Sequence, residues 1–250
     1  MRRLIGLSCE GETLAATLDE GAGTIGLLIV SGGNEVRAGA HRGMALLAAR
    51  LATDGIPVLR FDRRGVGDSS GENRGYRASA SDIAAAAAAL REAGAARIVG
   101  FGNCDAASAL ALFGRAAGLD TLILANPWVA DGGELPPPAA IRARYLARLR
   151  DPASWLRGFS LPKLVMGLRR LLAARSEQPD VLTALAAWRD DATVILAERD
   201  ATAVAYADAA RRAGLPPATV VVSTDAHSFA RPGDLAPVEQ AIREAIRRLR

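Results

Sequence analysis

Segments of two kinds alternate along this chain, and their alternation restricts the fold more than any other feature. Apolar runs of strand length, such as residues 24–33, 96–102 and 192–200, are each followed by a stretch with the apolar spacing of a helix. A continuous apolar run indicates a strand buried on both faces, which is typical of parallel sheets. The sequence therefore predicts an α/β fold, in which helices cover both faces of a mostly parallel central sheet.

Residues 128–180 interrupt this alternation. They contain Pro136, Pro137 and Pro138 and two basic amphipathic stretches, 139–158 and 161–172. We predict an inserted helical lid at 128–180, which divides the core into residues 1–127 and 181–250. The arginines of this segment have three interpretations: the solvated face of a packed lid, contacts to an acidic substrate, or contacts to an anionic membrane surface.

The composition indicates one sizeable folded domain. The chain has 250 residues, of which 50% are hydrophobic, and its net charge is only +4, so disorder is not expected. Nearly all of its 31 basic residues are arginines, with Lys163 the single lysine, and alanine is abundant. This pattern favours GC-rich codon usage over nucleic-acid binding, because no compact basic run alternates with aromatic residues.

The cysteines and the apolar runs bear on location. Cys9 and Cys104 are the only cysteines, which fits a reducing compartment rather than a disulfide scaffold. The apolar stretch at the N-terminus is too short for a signal peptide, and no apolar run approaches the roughly 18 residues of a membrane span. A cytoplasmic protein is therefore expected.

Cys104 occupies the most informative position in the sequence. It follows the strand-like run 96–102 directly and precedes a helix-like stretch, so it is expected at the carboxyl edge of the sheet, where ligands bind. Gly102 and Ala106 are small residues two before and two after it, as the sharp turn of a nucleophile elbow requires. The positive end of the following helix dipole favours a thiolate at such a position.

Two other interpretations of this stretch remain open. Cys104 is an inert buried cysteine in one of them. In the other, Gly100 and Gly102 begin a dinucleotide-binding turn, but Asp105 stands in place of the third glycine, where its charge would oppose a pyrophosphate.

A base and an acid follow in the order that such a nucleophile requires. His227 comes after the last strand-like run, and Asp200 ends the run before it, so Cys104, Asp200 and His227 are the predicted catalytic residues. Glu198 and Asp225 are alternative acids. The alternative for His227 is a histidine on a surface loop.

Backbone groups near the strand ends are expected to bind the developing oxyanion. We assign one donor to the N–H of Asp105 and the other to Gly33, with Asn34 as the alternative. Downstream of this loop, Arg37, His41 and Arg42 are candidates for binding substrate anions. Arg63 and Arg64, which neighbour Asp62 and Asp68, are expected to form a charge network that stabilises their loop.

Taken in order, "SGGN", "FDRRGVGDSSG", "GFGNCDA", "LAERDA" and "DAHSF" resemble the motifs of the α/β-hydrolase superfamily and cover nearly the whole chain. More narrowly, "SGGNEVRAGAHRGM", "RFDRRGVGDSSGENRG", "GNCDAASALALF" and "YLARLRDPASWLRG" resemble the exosortase A system-associated hydrolases, first of two types. The resemblance implies an α/β-hydrolase fold and a link to bacterial exopolysaccharide and exosortase-dependent sorting systems. Two departures matter: cysteine replaces the usual serine, as in dienelactone hydrolases, and Ala106 replaces the second elbow glycine.

The expected activity is hydrolysis of an ester, thioester or lactone through a covalent acyl-enzyme, with no metal or organic cofactor. The expected partner is a small acyl substrate, and an anionic or a carrier-bound form of it is considered. Acyl transfer to an acceptor other than water and a catalytically silent scaffold are the alternatives.

Overall fold

The computed structural model describes residues 1–129, 181–216 and 218–250. Its strands form one eight-stranded sheet in the order β1-β2-β4-β3-β5-β6-β7-β8, in which β1, β2 and β4 pair antiparallel and all the other pairs are parallel. The strands are β1 Arg2–Cys9, β2 Glu12–Asp19, β3 Ile25–Val30, β4 Val58–Phe61, β5 Arg97–Asn103, β6 Thr121–Ala125, β7 Ala192–Ala197 and β8 Val220–Val222. The predicted α/β-hydrolase fold with a mostly parallel sheet is confirmed.

The helices of the described residues lie on both faces of this sheet. They are α1 Gly43–Thr53, α2 Ala80–Glu92, α3 Asp105–Phe113, α4 Val181–Trp188, α5 Ala201–Arg212 and α6 Leu235–Arg248. Buried side chains of α1 and α6 belong to one apolar layer, and those of α2, α3, α4 and α5 belong to the other. The central strands contribute alternate residues to the two layers, so Leu28 and Val30 face one layer while Leu27 and Ile29 face the other.

A two-residue turn joins β1 to β2. Glu10 and Gly11 both have positive φ, at 49° and 84°, which is the backbone of a type I′ hairpin turn. Glycine adopts this conformation without steric cost, so its place in the turn follows from the geometry.

One local prediction differs from the structure. Asp200 does not end a strand. β7 ends at Ala197, and Asp200 is the N-cap residue of α5.

The predicted lid covers residues 128–180, of which residues 130–180 lie outside the described part of the chain. It therefore stays a prediction, as do the domain boundaries drawn around it. Within residues 1–129, 181–216 and 218–250, every helix is too short or too polar to cross a membrane.

Candidate active site

The backbone at Cys104 forms a sharp turn between β5 and α3. Its φ and ψ are 60° and −126°, a combination that L-residues rarely adopt and that strained active-site turns show. A Cβ added to Gly102 would lie 2.8 Å from the carbonyl carbon of Ala106, so the strand and the helix approach too closely for any larger residue. The predicted sharp turn is therefore present, and this contact requires glycine at position 102.

Neighbouring backbone groups hold the elbow in place. The N–H of Cys104 donates to the carbonyl of Ala125 at the end of β6 (2.9 Å), and its carbonyl accepts the N–H of Trp128 (3.3 Å). The buried hydroxyl of Ser108 on α3 donates to the Trp128 carbonyl (2.6 Å). The strained residue is thus fixed by the end of the neighbouring strand and by the segment that follows it.

The structure brings Cys104, His227 and Asp200 together. His227 Nδ1 lies 3.1 Å from Asp200 Oδ2, and the His227 ring also hydrogen-bonds the side chain of Cys104. The three residues come from the carboxyl ends of β5, β7 and β8, which meet at one edge of the sheet.

Asp200 has two tasks at this position. Its Oδ2 accepts the N–H groups of Thr202 and Ala203, both at 3.0 Å, and so caps α5 while it binds His227. Burial alone would raise the pKa of this carboxyl, but the hydrogen bond from His227, the charge of that ring and the two backbone donors hold the pKa below its ordinary value. Asp200 therefore stays ionised beside the histidine.

The charge of His227 follows from the same contacts. The hydrogen bond to Asp200 and the one to Cys104 outweigh burial and raise the pKa of His227 to about 10. The ring therefore carries a proton at neutral pH, next to the sulfur of Cys104. A cation in such a position favours the thiolate form of a neighbouring thiol.

The two alternative acids have other partners. Glu198 accepts the hydroxyl of Ser223 (2.9 Å), and Asp225 forms an ion pair with Arg231 (2.5 Å). Of the three candidate acids, Asp200 is the one that contacts His227.

One of the two predicted oxyanion donors, the N–H of Gly33, already has a hydrogen-bond acceptor in the structure. The N–H of Gly33 donates to Oδ1 of Asp105 at 2.6 Å, so the carboxylate of Asp105 lies where a substrate oxygen was expected. Arg63 donates both to the Gly33 carbonyl (2.8 Å) and to Asp105 Oδ2 (3.1 Å). The Asn34 side chain accepts a hydrogen bond from Asn73 (2.9 Å). The N–H of Asp105 begins α3, where the first N–H groups of a helix lack partners within it.

Arg37 forms ion pairs with two carboxylates. Its guanidinium contacts the buried carboxylate of Asp62 and lies 2.9 Å from Asp68, and its backbone N–H donates to Asp62 as well. Arg37 thus supplies the charge network expected of Arg63 and Arg64. Its role in binding a substrate anion stays a prediction.

The other two residues predicted to bind substrate anions, His41 and Arg42, lie directly before α1. His41 and Arg42 have exposed side chains and positive φ, at 49° and 62°. Their role in substrate binding stays a prediction.

Arg63 and Arg64 have other partners than those predicted. Arg63 pairs with Asp105 across the elbow, whereas Arg64 pairs with Glu10 and with Asp82. Two basic residues that are adjacent in sequence therefore serve different regions of the molecule.

Sequence reasoning missed two asparagines that contact the loop of His227. Asn103 is the last residue of β5 and Asn126 follows β6, and the side-chain amides of both donate to the His227 carbonyl at 3.1 Å. The one available signal was a polar residue at the carboxyl end of each of two neighbouring apolar strands.

Glu35 was also missed. It lies in the loop after β3, close enough to His227 for the charges to interact, and its Oε1 accepts the N–H of Ala40 (2.7 Å). Burial raises the pKa of Glu35, although the Ala40 N–H and the charge of His227 oppose the rise. A second carboxyl group thus lies near His227.

Comparisons with known proteins agree with this architecture. Residues 27–241 match the model of the alpha/beta hydrolase family, and the chain belongs to this family. Among curated proteins, no sequence matches the chain significantly.

Similar solved structures include an esterase of Pyrococcus furiosus, Pf2001, with a TM-score of 0.65 and 17% identity over 99% of this chain and 91% of that one. The alpha/beta hydrolase GrgF from Penicillium sp. sh18 has a TM-score of 0.64 and 18% identity over 99% of this chain and 98% of that one. A thermophilic esterase from Thermogutta terrifontis has a TM-score of 0.62 and 22% identity over 98% of each chain. At these identities the likeness establishes the shared fold.

Proposed function

We propose that this protein hydrolyses ester, thioester or lactone bonds through a covalent acyl-enzyme on Cys104. The observation that carries the proposal is the alignment of Cys104, His227 and Asp200 across the strand ends, with Cys104 on a strained elbow. The esterases among the similar structures support the choice of an acyl substrate.

In the first half of the reaction, the Cys104 sulfur attacks the substrate carbonyl and a carbon–sulfur bond forms. The carbonyl electrons move onto oxygen and return when the bond to the leaving group breaks. His227 gives its proton to the leaving alcohol or thiol, while Asp200 keeps the ring oriented through Nδ1. The product of this half is a thioester on Cys104.

In the second half, water replaces the leaving group. His227, now neutral, takes a proton from the water as it attacks the thioester, and the carbon–sulfur bond breaks. The acid product leaves, and Cys104 and His227 return to their starting charges. Protein side chains and water supply every proton in this cycle.

The oxyanion of each half needs donors near the elbow. The N–H of Asp105 is one, at the start of α3. The N–H of Gly33 is the other, and it becomes available when the Asp105 carboxylate turns from Gly33 toward Arg63, which it already contacts. Substrate binding and this side-chain rotation are therefore coupled.

The narrower context is also a proposal. The motifs that resemble the exosortase A system-associated hydrolases favour a role beside bacterial exopolysaccharide or sorting systems, in the cytoplasm. An anionic or carrier-bound acyl donor fits the arginines at 139–172, and these arginines would also suit a peripheral contact with a membrane. Nucleic acid is not among the proposed partners.

Intact mass spectrometry tests the acyl-enzyme directly. The purified protein is incubated with an aryl ester, an acyl thioester and a lactone, and the released products are measured in parallel. We expect an adduct of the acyl mass that disappears in Cys104→Ala. Cys9→Ser is the matched control and should keep the adduct, because burial raises the pKa of the Cys9 thiol to about 11.

Three outcomes decide between the candidate functions. Adduct formation with steady product release supports hydrolysis. An adduct that persists in water but is lost when an amine or alcohol acceptor is added indicates acyl transfer. No adduct and no turnover with any of the three donors contradicts both, and leaves a binding scaffold.

A further inference from the structure

Two asparagine side chains hold the main chain of the catalytic histidine. The Nδ2 groups of Asn103 and Asn126 each lie 3.1 Å from the carbonyl oxygen of His227. Asn126 Nδ2 also donates to Asn103 Oδ1 (3.1 Å), so the two amides and the carbonyl form one closed set of hydrogen bonds. We name this set the asparagine clamp.

Asn126 is suited to the clamp by its backbone and by its side chain. Its φ is 43°, in the left-handed region that asparagine tolerates better than most residues. Its side chain is fully buried and fully used, since Oδ1 accepts the N–H of Ala197 (2.8 Å) while Nδ2 makes the two clamp bonds. Aspartate would lose both donors, and glycine would keep the backbone but none of the three bonds.

The clamp connects the parts of the site that must stay aligned. Asn103 immediately precedes Cys104, and Ala197, which Asn126 binds, accepts the N–H of Asp200 (3.0 Å). His227 itself lies on the loop between β8 and α6, and 40% of its side chain is exposed. The clamp therefore links the main chain of this loop to the residue before Cys104, in addition to the contact made by the histidine ring.

We propose that Asn103 and Asn126 are positioning residues that fix His227 relative to Cys104 and Asp200 by binding its main-chain carbonyl. Their amides bind the main-chain carbonyl of His227 and not its ring. The kinetic part of this proposal rests on the proposed function, whereas the effect on the histidine can be measured without any substrate.

A purely structural role makes a different prediction. If the asparagines only satisfy buried polar groups, their removal lowers the melting temperature and leaves the His227–Asp200 contact intact. If they position the histidine, the ring moves away from Asp200 and Cys104, and the contacts that raise its pKa weaken.

The test compares Asn103→Ala, Asn126→Gly and Asn126→Asp with Thr121→Val. Thr121 is a matched control because its hydroxyl also donates to a main-chain carbonyl, that of Asp191 (2.6 Å), but at the opposite end of β6. The titration of His227 is followed by NMR and assigned with His41→Gln. Melting temperature and the hydrolysis of an aryl ester are measured on the same samples.

We expect the titration midpoint of His227 to fall from about 10 toward 6.5 in Asn103→Ala and Asn126→Gly and to stay unchanged in Thr121→Val. In Asn126→Asp the added carboxylate opposes this fall, so the midpoint should drop less than in Asn126→Gly. The kcat should fall by roughly 10- to 100-fold with little change in KM, as expected for a misplacement near 1 Å. Asn103→Ala removes one of the two bonds from a residue that is not fully buried, so it keeps the test decisive if Asn126→Gly does not fold.

A lower melting temperature with an unchanged His227 titration in folded Asn103→Ala overturns the proposal. If the wild-type protein does not hydrolyse the aryl ester, this result counts against the proposed function but not against the clamp. The NMR titration still decides whether the clamp positions His227.

Discussion

The N–H of Gly33 donates to the carboxylate of Asp105 across 2.6 Å, which joins the loop after β3 to the first residue of α3. A carboxylate beside an oxyanion site opposes the charge that develops there, because two like charges at close range repel. Asp105 therefore contributes in two opposing ways to the proposed reaction, with its N–H as a donor and its side chain as a competitor for Gly33.

Removal of the Asp105 charge should increase activity. In Asp105→Asn the side chain keeps its size, and Arg63 keeps its bonds to the Gly33 carbonyl and to Ser79. The buried guanidinium of Arg63 loses its carboxylate partner, so we expect a lower melting temperature, and activity is compared at a temperature where both proteins are folded. We expect kcat/KM for a neutral ester to rise roughly tenfold, which corresponds to about 1.4 kcal/mol of transition-state stabilisation. Asp68→Asn is the control, because it removes an equal charge from an exposed side chain. A decrease in Asp105→Asn alone would show that the carboxylate assists the reaction.

The assignment of Asp200 as the acid predicts a large and specific loss. Asp200→Asn disturbs the charge and the tautomer of His227 while keeping a side-chain oxygen for the cap of α5. We expect turnover to fall by up to about 10⁴-fold, the size of this effect in serine proteases. Glu198→Gln and Asp225→Asn provide matched controls in steady-state assays. If Glu198→Gln or Asp225→Asn lost this much turnover while Asp200→Asn stayed close to wild type, the mutated residue would be the acid instead of Asp200.

The pair of His227 and Asp200 predicts how stability depends on pH. The folded-state pKa of His227 is raised from 6.5 to about 10, so its contribution is complete below 6.5 and disappears as the pH rises toward 10. The pKa of Asp200 is lowered from 3.8, so its contribution is present above 3.8 and disappears as the pH falls through the lower folded-state value.

The measurement is the difference in melting temperature between the wild-type protein and His227→Gln across this range. We expect the largest difference between pH 3.8 and 6.5, and a small one in absolute terms because the ring is 40% exposed to solvent. His41→Gln, which replaces an exposed histidine, is the control. A difference that grew from pH 6.5 to 10 would contradict the stated charges.

The elbow should not tolerate a methyl group at Gly102. An added Cβ would lie 2.8 Å from the Ala106 carbonyl carbon and 2.9 Å from its oxygen, and both are backbone atoms that cannot rotate away. We expect Gly102→Ala to lower the free energy of unfolding by about 1–3 kcal/mol and to abolish acylation of Cys104. Gly43→Ala, in α1, should not destabilise the protein, because nothing lies within 4 Å of its added Cβ. Urea unfolding of the two variants gives the comparison.

The sequence was sufficient for the fold and for the meeting of three side chains. Long apolar runs, small residues around Cys104 and the order of Asp200 and His227 are local features, and parallel strands bring their carboxyl ends together. The ion-pair partners of long side chains such as arginine were not predictable from the sequence. Arg63 and Arg37 both neighbour acidic residues in space, but the sequence does not tell which carboxylate each one contacts.

The asparagine clamp was unpredictable for a related reason. Its acceptor is the main-chain carbonyl of His227. Every residue has such a carbonyl, so the sequence around His227 does not indicate that this one accepts two side-chain hydrogen bonds. Polar residues at strand ends can be noticed in a sequence, but their targets depend on the path of a loop more than a hundred residues away.

His227 follows β8, the shortest strand in the described sheet. β8 has three residues and lies at the edge, so it is held by pairing on one side only. Segments of this kind exchange their amide protons through local opening, far more easily than central strands do. Amide exchange in β8 and the His227 loop should therefore be faster than in β5 and β6, so that local opening displaces His227 from Cys104 before the whole fold is lost.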